Sequence, residues 1–147
     1  AMAMADRIAV LVDGEVVQFG TPEELWQRPN HPFVAATIAD LQPLKGRIEG
    51  TQCVTAFGAL PLRLLALTAD LAEGTSVPIG VRPSSLTVSL EGPCVVNDIR
   101  FLGDRYTLLI SADNQNLEVA TPLKPKVTVG DAVSVSFAAA QAVILHP

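Results

Sequence analysis

The basic residues of this 147-residue chain are not arranged for phosphate chemistry. A phosphate-binding loop needs glycines around a Lys-Ser or Lys-Thr pair, so that backbone N–H groups surround the phosphate oxygens. Lys45, Lys124 and Lys126 have no such neighbours. No acidic pair follows an apolar strand, so the sequence offers no Mg²⁺ site and no position for an activated water. We therefore predict no catalytic residue and no bound nucleotide in these residues.

The histidines and cysteines do not indicate metal or redox chemistry. His31 lies in a proline-rich connection and His146 is the penultimate residue, and neither has further ligands at metal-binding spacing. Cys53 and Cys94 do not form a CxxC motif, and we predict reduced, buried or half-buried thiols. The prediction is therefore that this chain holds no metal and no cofactor.

Three residues remain as candidates for a subunit interface or a regulatory contact. Arg82 ends an apolar strand that includes Val81, and strand alternation places its side chain on the opposite face. Pro83 follows it and fixes the backbone geometry. The structural alternative for Arg82 is an ion pair or a backbone contact. For Trp26, on a short predicted helix, the alternative to a partner contact is packing against a neighbouring hairpin.

The first forty residues predict a hairpin and two short helices. Asp13-Gly14 forms a hairpin turn signal, because Gly tolerates the positive φ of a tight turn. Thr21 and Glu24 have capping-box spacing, which predicts a helix from Thr21 to about Gln27. A second helix is predicted over Pro32 to Ala39. The two hairpin arms carry apolar side chains at strand-like spacing: Ile8, Val10, Val17 and Phe19.

Beyond about Asp40 the pattern is one of many short strands punctuated by Gly, Asn and Pro, which indicates a small barrel or sandwich. Residues 64–73 are ambiguous between a short helix and a loop, and Gly58-Ala59 is predicted as a tight hairpin turn. Strict alternation predicts an inward face with Val77, Ile79, Val81, Val133 and Val135. Strands are predicted at 45–49, 54–57, 60–65, 76–82, 86–90, 94–102, 106–111, 117–121, 132–137 and 143–145.

Composition limits the partners. The net charge of −5 and the absence of a basic run argue against nucleic acid. Apolar residues make up 49% of the chain and charged residues only 17%. This composition indicates either a large hydrophobic core or an apolar surface covered by a partner. We therefore predict a homodimer held mainly through the barrel region. No apolar segment is long enough to predict a membrane span.

Two groups of motifs resemble one protein family. The run from Ala5 to Pro32, with Gly-Thr-Pro-Glu-Glu-Leu at its centre, closely resembles the segment after the switch histidine in the ATP-binding subunits of bacterial ABC importers. Ile79-Gly80-Val81-Arg82-Pro83 is similar to the central motif of the transport-associated OB (TOBE) domain that follows the ATPase core in many importers. The family usually has Glu after the Arg-Pro pair, whereas this chain has Ser84.

The resemblance implies a mainly-β fold in two parts. Residues 1–40 would be the end of the nucleotide-binding domain, a β-hairpin and one or two short helices left from an α/β ATPase core. Residues 41–147 would be a small OB-like β-barrel, the regulatory TOBE domain.

In function, the resemblance implies the regulatory and dimerisation region of a subunit that couples ATP hydrolysis to solute uptake. Ferric iron or a polyamine is the solute most in keeping with the short regulatory region. ATP and Mg²⁺ would be bound by parts of the parent protein outside this chain, which should itself be inactive. The parent would pair as a homodimer with membrane permease subunits at the cytoplasmic face of the inner membrane.

Two other functions remain as alternatives to the importer subunit. A free-standing OB-type module that binds a small oxyanion would begin near its own methionine, with no ATPase motifs encoded upstream. A nucleic-acid-binding OB fold is disfavoured by the acidic charge and by the lack of aromatic residues on the strands.

Overall fold

The structure is a computed structural model that describes residues 6–65, 71–137 and 142–144. A hairpin and two helices come first, and antiparallel strands make up most of the rest. The strands are β1 (Ile8–Val12), β2 (Glu15–Gly20), β3 (Gln42–Glu49), β4 (Gln52–Thr55), β5 (Gly58–Pro61), β6 (Ser76–Val81), β7 (Thr87–Phe101), β8 (Tyr106–Ala112), β9 (Gln115–Thr121), β10 (Ala132–Ser136) and β11 (Val143–Ile144). The helices are α1 (Pro22–Gln27) and α2 (Pro32–Thr37), with one-turn 3₁₀ helices at Leu62–Leu64 and Pro83–Ser85.

The N-terminal elements form where local sequence predicts them. Asp13 and Gly14 join β1 to β2 with φ of +52° and +80°, the geometry of a tight hairpin turn. Thr21 caps α1: its hydroxyl accepts from the Glu24 N–H at 3.2 Å, and the Glu24 carboxylate accepts from the Thr21 N–H at 3.1 Å. This confirms the predicted capping box. The second helix ends at Thr37, two residues before the predicted Ala39.

The hairpin buries only part of its apolar side chains. Val10 is buried with Leu25 and Val34, and Val17 packs against the same cluster. Phe19, however, is 61% exposed. The strand register shifts because Val10 pairs with Gln18 and Leu11 pairs with Val16, which leaves Val17 as an extra residue. This β-bulge interrupts the alternation of side chains along β2.

The remaining strands form two antiparallel sheets around one core. The strand order is β10-β7-β8-β9 in one sheet and β11-β6-β3-β4-β5 in the other. The five residues predicted to face inward are all buried in this core: Val77, Ile79, Val81, Val133 and Val135. The mainly-β fold with a small OB-like domain is therefore confirmed.

A side chain links the two sheets. Gln42 of β3 donates its amide N–H to the Glu118 carbonyl of β9 at 2.6 Å, and its amide oxygen accepts from the Glu118 N–H at 2.8 Å. The amide therefore satisfies both backbone groups of Glu118, much as a paired strand residue would. The pair of hydrogen bonds helps to close the barrel between β3 and β9.

The predicted turn at Gly58-Ala59 is wrong by two residues. Thr55 pairs with Gly58, so Ala56 and Phe57 form the loop between β4 and β5. The Thr55 hydroxyl fixes this loop, because it donates to the Gly58 carbonyl at 2.7 Å and accepts from the Phe57 N–H at 3.1 Å. The strand predicted to run to Leu65 ends at Pro61, where the one-turn 3₁₀ helix begins. Residues 66–70 of the ambiguous 64–73 segment, and Leu145 of the last predicted strand, lie outside the described residues.

The two strands predicted at 86–90 and 94–102 form one long strand, β7. The Glu-Gly-Pro sequence at 91–93 is typical of a turn, but in the structure it forms a bulge within β7. Leu90 pairs with Val133, and Val95 pairs with the adjacent Ala132. Gly92 is required here, because a Cβ atom on it would lie 2.4 Å from the Val133 carbonyl oxygen. The bulge keeps both halves of β7 paired with β10.

Candidate junction site

Three apolar clusters occur along the described chain. The hairpin and helices form one around Leu25, and the barrel encloses the largest. Between them lies a small cluster of Ala35, Ala39 and Leu41, against which Val143 of β11 packs. One contact of the N-terminal elements with the barrel therefore involves α2 and the chain that leads from it to β3.

Arg82 lies at this junction with a fixed backbone. It follows the last residue of β6, and the buried Pro83 then begins the one-turn 3₁₀ helix. The Arg82 carbonyl accepts from the Ser85 N–H at 3.1 Å and from the Ser85 hydroxyl at 2.8 Å. The side chain is only 7% exposed. The end of β6, the following Pro83 and the Ser85 hydrogen bonds fix the Arg82 backbone. In this position the guanidinium points away from the barrel core.

The Arg82 guanidinium binds two segments of the N-terminal part. Its Nε donates to the Ala39 carbonyl at 3.0 Å, and Nη2 donates to the Trp26 carbonyl. The Trp26 ring lies beside the same group, with Cζ 4.3 Å from the ring centroid, a cation–π distance. One side chain therefore joins the end of α1, the chain after α2 and the end of β6.

Carbonyl oxygens and an aromatic ring contact this charge directly, and no salt bridge of Arg82 occurs among the described residues. Burial lowers the pKa of Arg82, and the nearby Asp40 carboxylate raises it in partial compensation. Arginine keeps its charge in proteins, so the cost of burying it must be offset by hydrogen bonds. The ion pairs among the described residues involve other arginines: Arg47–Glu49, Arg100–Asp98 and Arg105–Asp104.

The structure thus brings the three predicted residues together. Arg82 contacts Trp26 directly, and Pro83 orients the turn beside them. Of the alternatives for Arg82, the backbone contact is the one observed. The helix residue that packs against the hairpin is Leu25, whereas the Trp26 ring faces the guanidinium. A role of these residues in a subunit interface or regulation stays a prediction.

Sequence reasoning did not find the Ala39 carbonyl or the turn at Asp40. Asp40 adopts φ +53°, a left-handed conformation that Asp and Asn tolerate better than most residues. Asp40 lies between α2 and β3, directly after the Ala39 carbonyl that Arg82 binds. An Asp just before a predicted strand was the available signal, but Asp is equally common in ordinary loops.

Other chemistry-bearing residues have structural positions. His31 caps α2, because its Nδ1 accepts from the Phe33 N–H at 3.0 Å. Cys53 and Cys94 are buried free cysteines, and burial raises the pKa of both thiols. A backbone hydrogen bond partly offsets that shift at Cys53, whereas Asp113 adds to it at Cys94. Raised values favour the unreactive thiol form. Across the described part of the chain, no three His, Cys, Asp or Glu residues are grouped to bind a metal.

Comparison with known proteins identifies relatives for nearly the whole chain. Residues 79–145 match the TOBE domain. The chain is 34% identical, over 99% of its length, to the Fe(3+) ions import ATP-binding protein FbpC of Streptomyces coelicolor, of which it covers 41%. It is 36% identical, over 78% of its length, to the spermidine/putrescine import ATP-binding protein PotA of Acidothermus cellulolyticus, of which it covers 33%.

A third relative is the sn-glycerol-3-phosphate import ATP-binding protein UgpC 2 of Agrobacterium fabrum, 32% identical over 69% of this chain and 28% of that protein. The chain therefore spans about two fifths or less of these relatives. Within residues 6–65, 71–137 and 142–144, no helix has the length and apolar character needed to cross a membrane.

Proposed function

Because the chain contains a TOBE domain and matches the C-terminal region of the ATP-binding subunits of ABC importers, we propose that it is the regulatory and dimer-forming region of such a subunit. The parent protein would couple ATP hydrolysis to uptake of ferric iron or a polyamine. Relatives named for each of these solutes support that range. The parent would act with membrane permease subunits at the cytoplasmic face of the inner membrane.

The observation that carries this proposal is the Arg82 junction. A regulatory domain affects an ATPase core only if its position is coupled to that core. Arg82 supplies such a coupling, because it holds the Trp26 and Ala39 carbonyls from the end of β6. A shift of the barrel would therefore pull on α1 and on the chain after α2. The alternative of a free-standing oxyanion-binding module gives no reason for a hairpin and two helices fastened in this way.

A chimeric subunit tests the proposed function. The corresponding region of the S. coelicolor relative is replaced by this chain, and uptake of radioactive ferric iron is measured in cells that lack the relative. We expect uptake to be restored, and an Arg82→Met chimera at equal protein level to restore less. A chimera that folds and is produced normally but supports no uptake would contradict the proposal.

We also expect these 147 residues to bind no nucleotide, because they contain no phosphate-binding loop and no acidic pair for Mg²⁺. Titration calorimetry with Mg-ATP should give only heats of dilution up to millimolar ATP. A saturable isotherm would show that ATP binding does not depend on other parts of the parent protein.

We predict a homodimer held mainly through the barrel. Several apolar side chains on the barrel surface are more than half exposed, including Phe101 and Leu102 near the β7–β8 turn. The hairpin presents a second apolar surface, with Leu11 and Phe19 at 59% and 61% exposed. Sedimentation equilibrium should show a concentration-dependent dimer, since an uncovered apolar area of this kind favours association.

Paired variants decide which surface holds the dimer. Phe101→Ser with Leu102→Ser should weaken it about tenfold or more, whereas Leu11→Ser with Phe19→Ser should change it less; the tenfold figure follows from loss of about 1.4 kcal/mol of apolar burial. A single species at 15.5 kDa at all concentrations would refute the dimer. A larger effect of the hairpin pair would instead show association through β1 and β2.

A further inference from the structure

One end of the barrel contains a pocket that no step of the proposed function uses. Its volume is about 450 Å³, within the range of small-molecule sites. The wall is mainly apolar and includes Leu86, Leu108, Val119 and Val127, which are buried. Ser84, the lining residue nearest the N-terminus, is two positions after Arg82 in sequence. The pocket therefore lies next to the junction.

The rim of this pocket is positively charged in an acidic protein. Lys124 and Lys126 both line it, and they are two of the three lysines in the chain. Not one of the sixteen lining residues is Asp or Glu. In the described part of the structure, no ion pair engages either lysine. Two lysines without ion pairs among the described residues, lining a mainly apolar pocket, favour a ligand that is both apolar and anionic.

The loop that carries the lysines is held at both ends. The Thr121 hydroxyl accepts from the Leu123 N–H at 3.3 Å, at the end of β9. On the far side, the Asp131 carboxylate accepts from the Thr128 N–H at 2.8 Å. Pro122 and Pro125 further restrict the loop. The lysines therefore extend from a segment with little conformational freedom, which lowers the entropic cost of binding.

We propose that this pocket binds a small organic anion, with a hydrocarbon body against the apolar wall and a carboxylate or sulfonate beside Lys124 and Lys126. A bare oxyanion fits less well, because it needs several hydrogen-bond donors inside the site and this wall is mostly carbon. A neutral apolar molecule would leave both ammonium groups unused. The inference depends on the pocket alone and does not require the importer role.

Hexanoate serves as the probe, because it combines a short hydrocarbon tail with a carboxylate. The ¹⁵N-labelled chain is titrated with hexanoate and followed by NMR of the backbone amides. We expect saturable shifts at pocket residues, including Val88, Val119 and Val127. Hexan-1-ol should bind at least threefold more weakly, because it keeps the tail and lacks the charge. Acetate and sulfate should give no saturable shift, because they lack the tail.

Variants separate the contributions of charge and volume. Lys124→Ala with Lys126→Ala should weaken hexanoate binding about three- to tenfold, the range expected for two solvent-exposed charge pairs, and leave hexan-1-ol unchanged. Lys45→Ala, which removes the third lysine from another part of the surface, should alter neither. Thr121→Trp should abolish binding of both compounds, since it places a large ring in the half-buried rim.

The outcomes decide the proposal. Localised, saturable hexanoate shifts that weaken in the Lys124/Lys126 variant support it. Equal affinity for hexanoate and hexan-1-ol, or no effect of the lysine substitutions, overturns the anionic ligand. Shifts confined to the exposed hairpin, or none that saturate, overturn the site. Unchanged amide spectra away from the pocket confirm that each variant is folded.

Discussion

Replacing Val81 with Asp is expected to lower the free energy of unfolding by about 3 to 5 kcal/mol. Val81 is 0% exposed and lies in the barrel core near the end of β6. A carboxylate there would be buried among hydrocarbon side chains. Chemical denaturation at neutral pH, followed by circular dichroism, measures the loss, and a large part of the population is expected to be unfolded without denaturant.

The pH dependence of this variant provides a second check. Burial raises the pKa of a carboxyl group in the folded state above its unfolded value of about 3.9. The folded state therefore binds more protons between those two values, and the stability of the variant relative to wild type falls as the pH rises through them. The deficit should be smallest near pH 4 and largest at neutral pH.

Asn116→Asp is the matched control, because it adds the same charge at an exposed position of β9. Its effect should be within about 0.5 kcal/mol. If Val81→Asp unfolded at the same denaturant concentration as this control, the assignment of Val81 to the inner face would be wrong.

Replacing Arg82 with Met is expected to loosen the N-terminal elements from the barrel at a cost of about 3 kcal/mol. The variant keeps most of the apolar stem but removes the hydrogen bonds to the Ala39 and Trp26 carbonyls and the contact with the Trp26 ring. The Ala39 carbonyl then has no guanidinium partner in a buried setting. The barrel core contains none of these groups and should remain folded.

Trp26 is the only tryptophan of the chain, so its emission reports on the junction. In wild type, denaturation followed by Trp26 fluorescence and by circular dichroism should coincide. In Arg82→Met the fluorescence midpoint should move to lower denaturant, and the native emission should shift to the red. Arg82→Lys should be intermediate, because one ammonium group keeps the charge but lacks the planar fork that reaches two carbonyls.

Arg100→Met is the control for loss of a surface arginine. Arg100 is exposed, and its side chain pairs with Asp98 at 2.8 Å. Exposed pairs of this kind contribute about 1 kcal/mol or less. If Arg82→Met behaved like Arg100→Met, with coincident transitions, the junction would not depend on the guanidinium.

Local chemistry explains which features could be predicted from sequence. The turn at Asp13-Gly14 and the capping box of Thr21 and Glu24 involve residues at most three positions apart, so their types determine their geometry. The inward face of the barrel follows from alternation of period two, which the Ser76–Val81 strand shows clearly.

The sequence-based predictions failed where the local structure depends on backbone groups that are distant in sequence. Glu91-Gly92 has the composition of a turn, yet the approach of the Val133 carbonyl makes it a bulge within β7. The bulge at Val17 is likewise set by the pairing of β2 with β1. The junction itself joins residues 43 and 56 positions apart in sequence, and a carbonyl acceptor has no side-chain signature. The residue types of Arg82 and Trp26 marked both as candidates in the sequence, but nothing in the sequence predicted that they contact each other.

Amide hydrogen exchange in the Arg82→Met variant shows directly whether Arg82 holds the barrel to the N-terminal helices. Exchange is compared with wild type for amides bonded within α1 and α2, such as Arg28 and Ile38, and for amides of the barrel strands β3 and β8. We expect the α1 and α2 amides to lose about a hundredfold protection, the equivalent of about 3 kcal/mol, while the barrel amides keep theirs. Unchanged protection in the helices, or an equal loss in the barrel, would contradict this expectation.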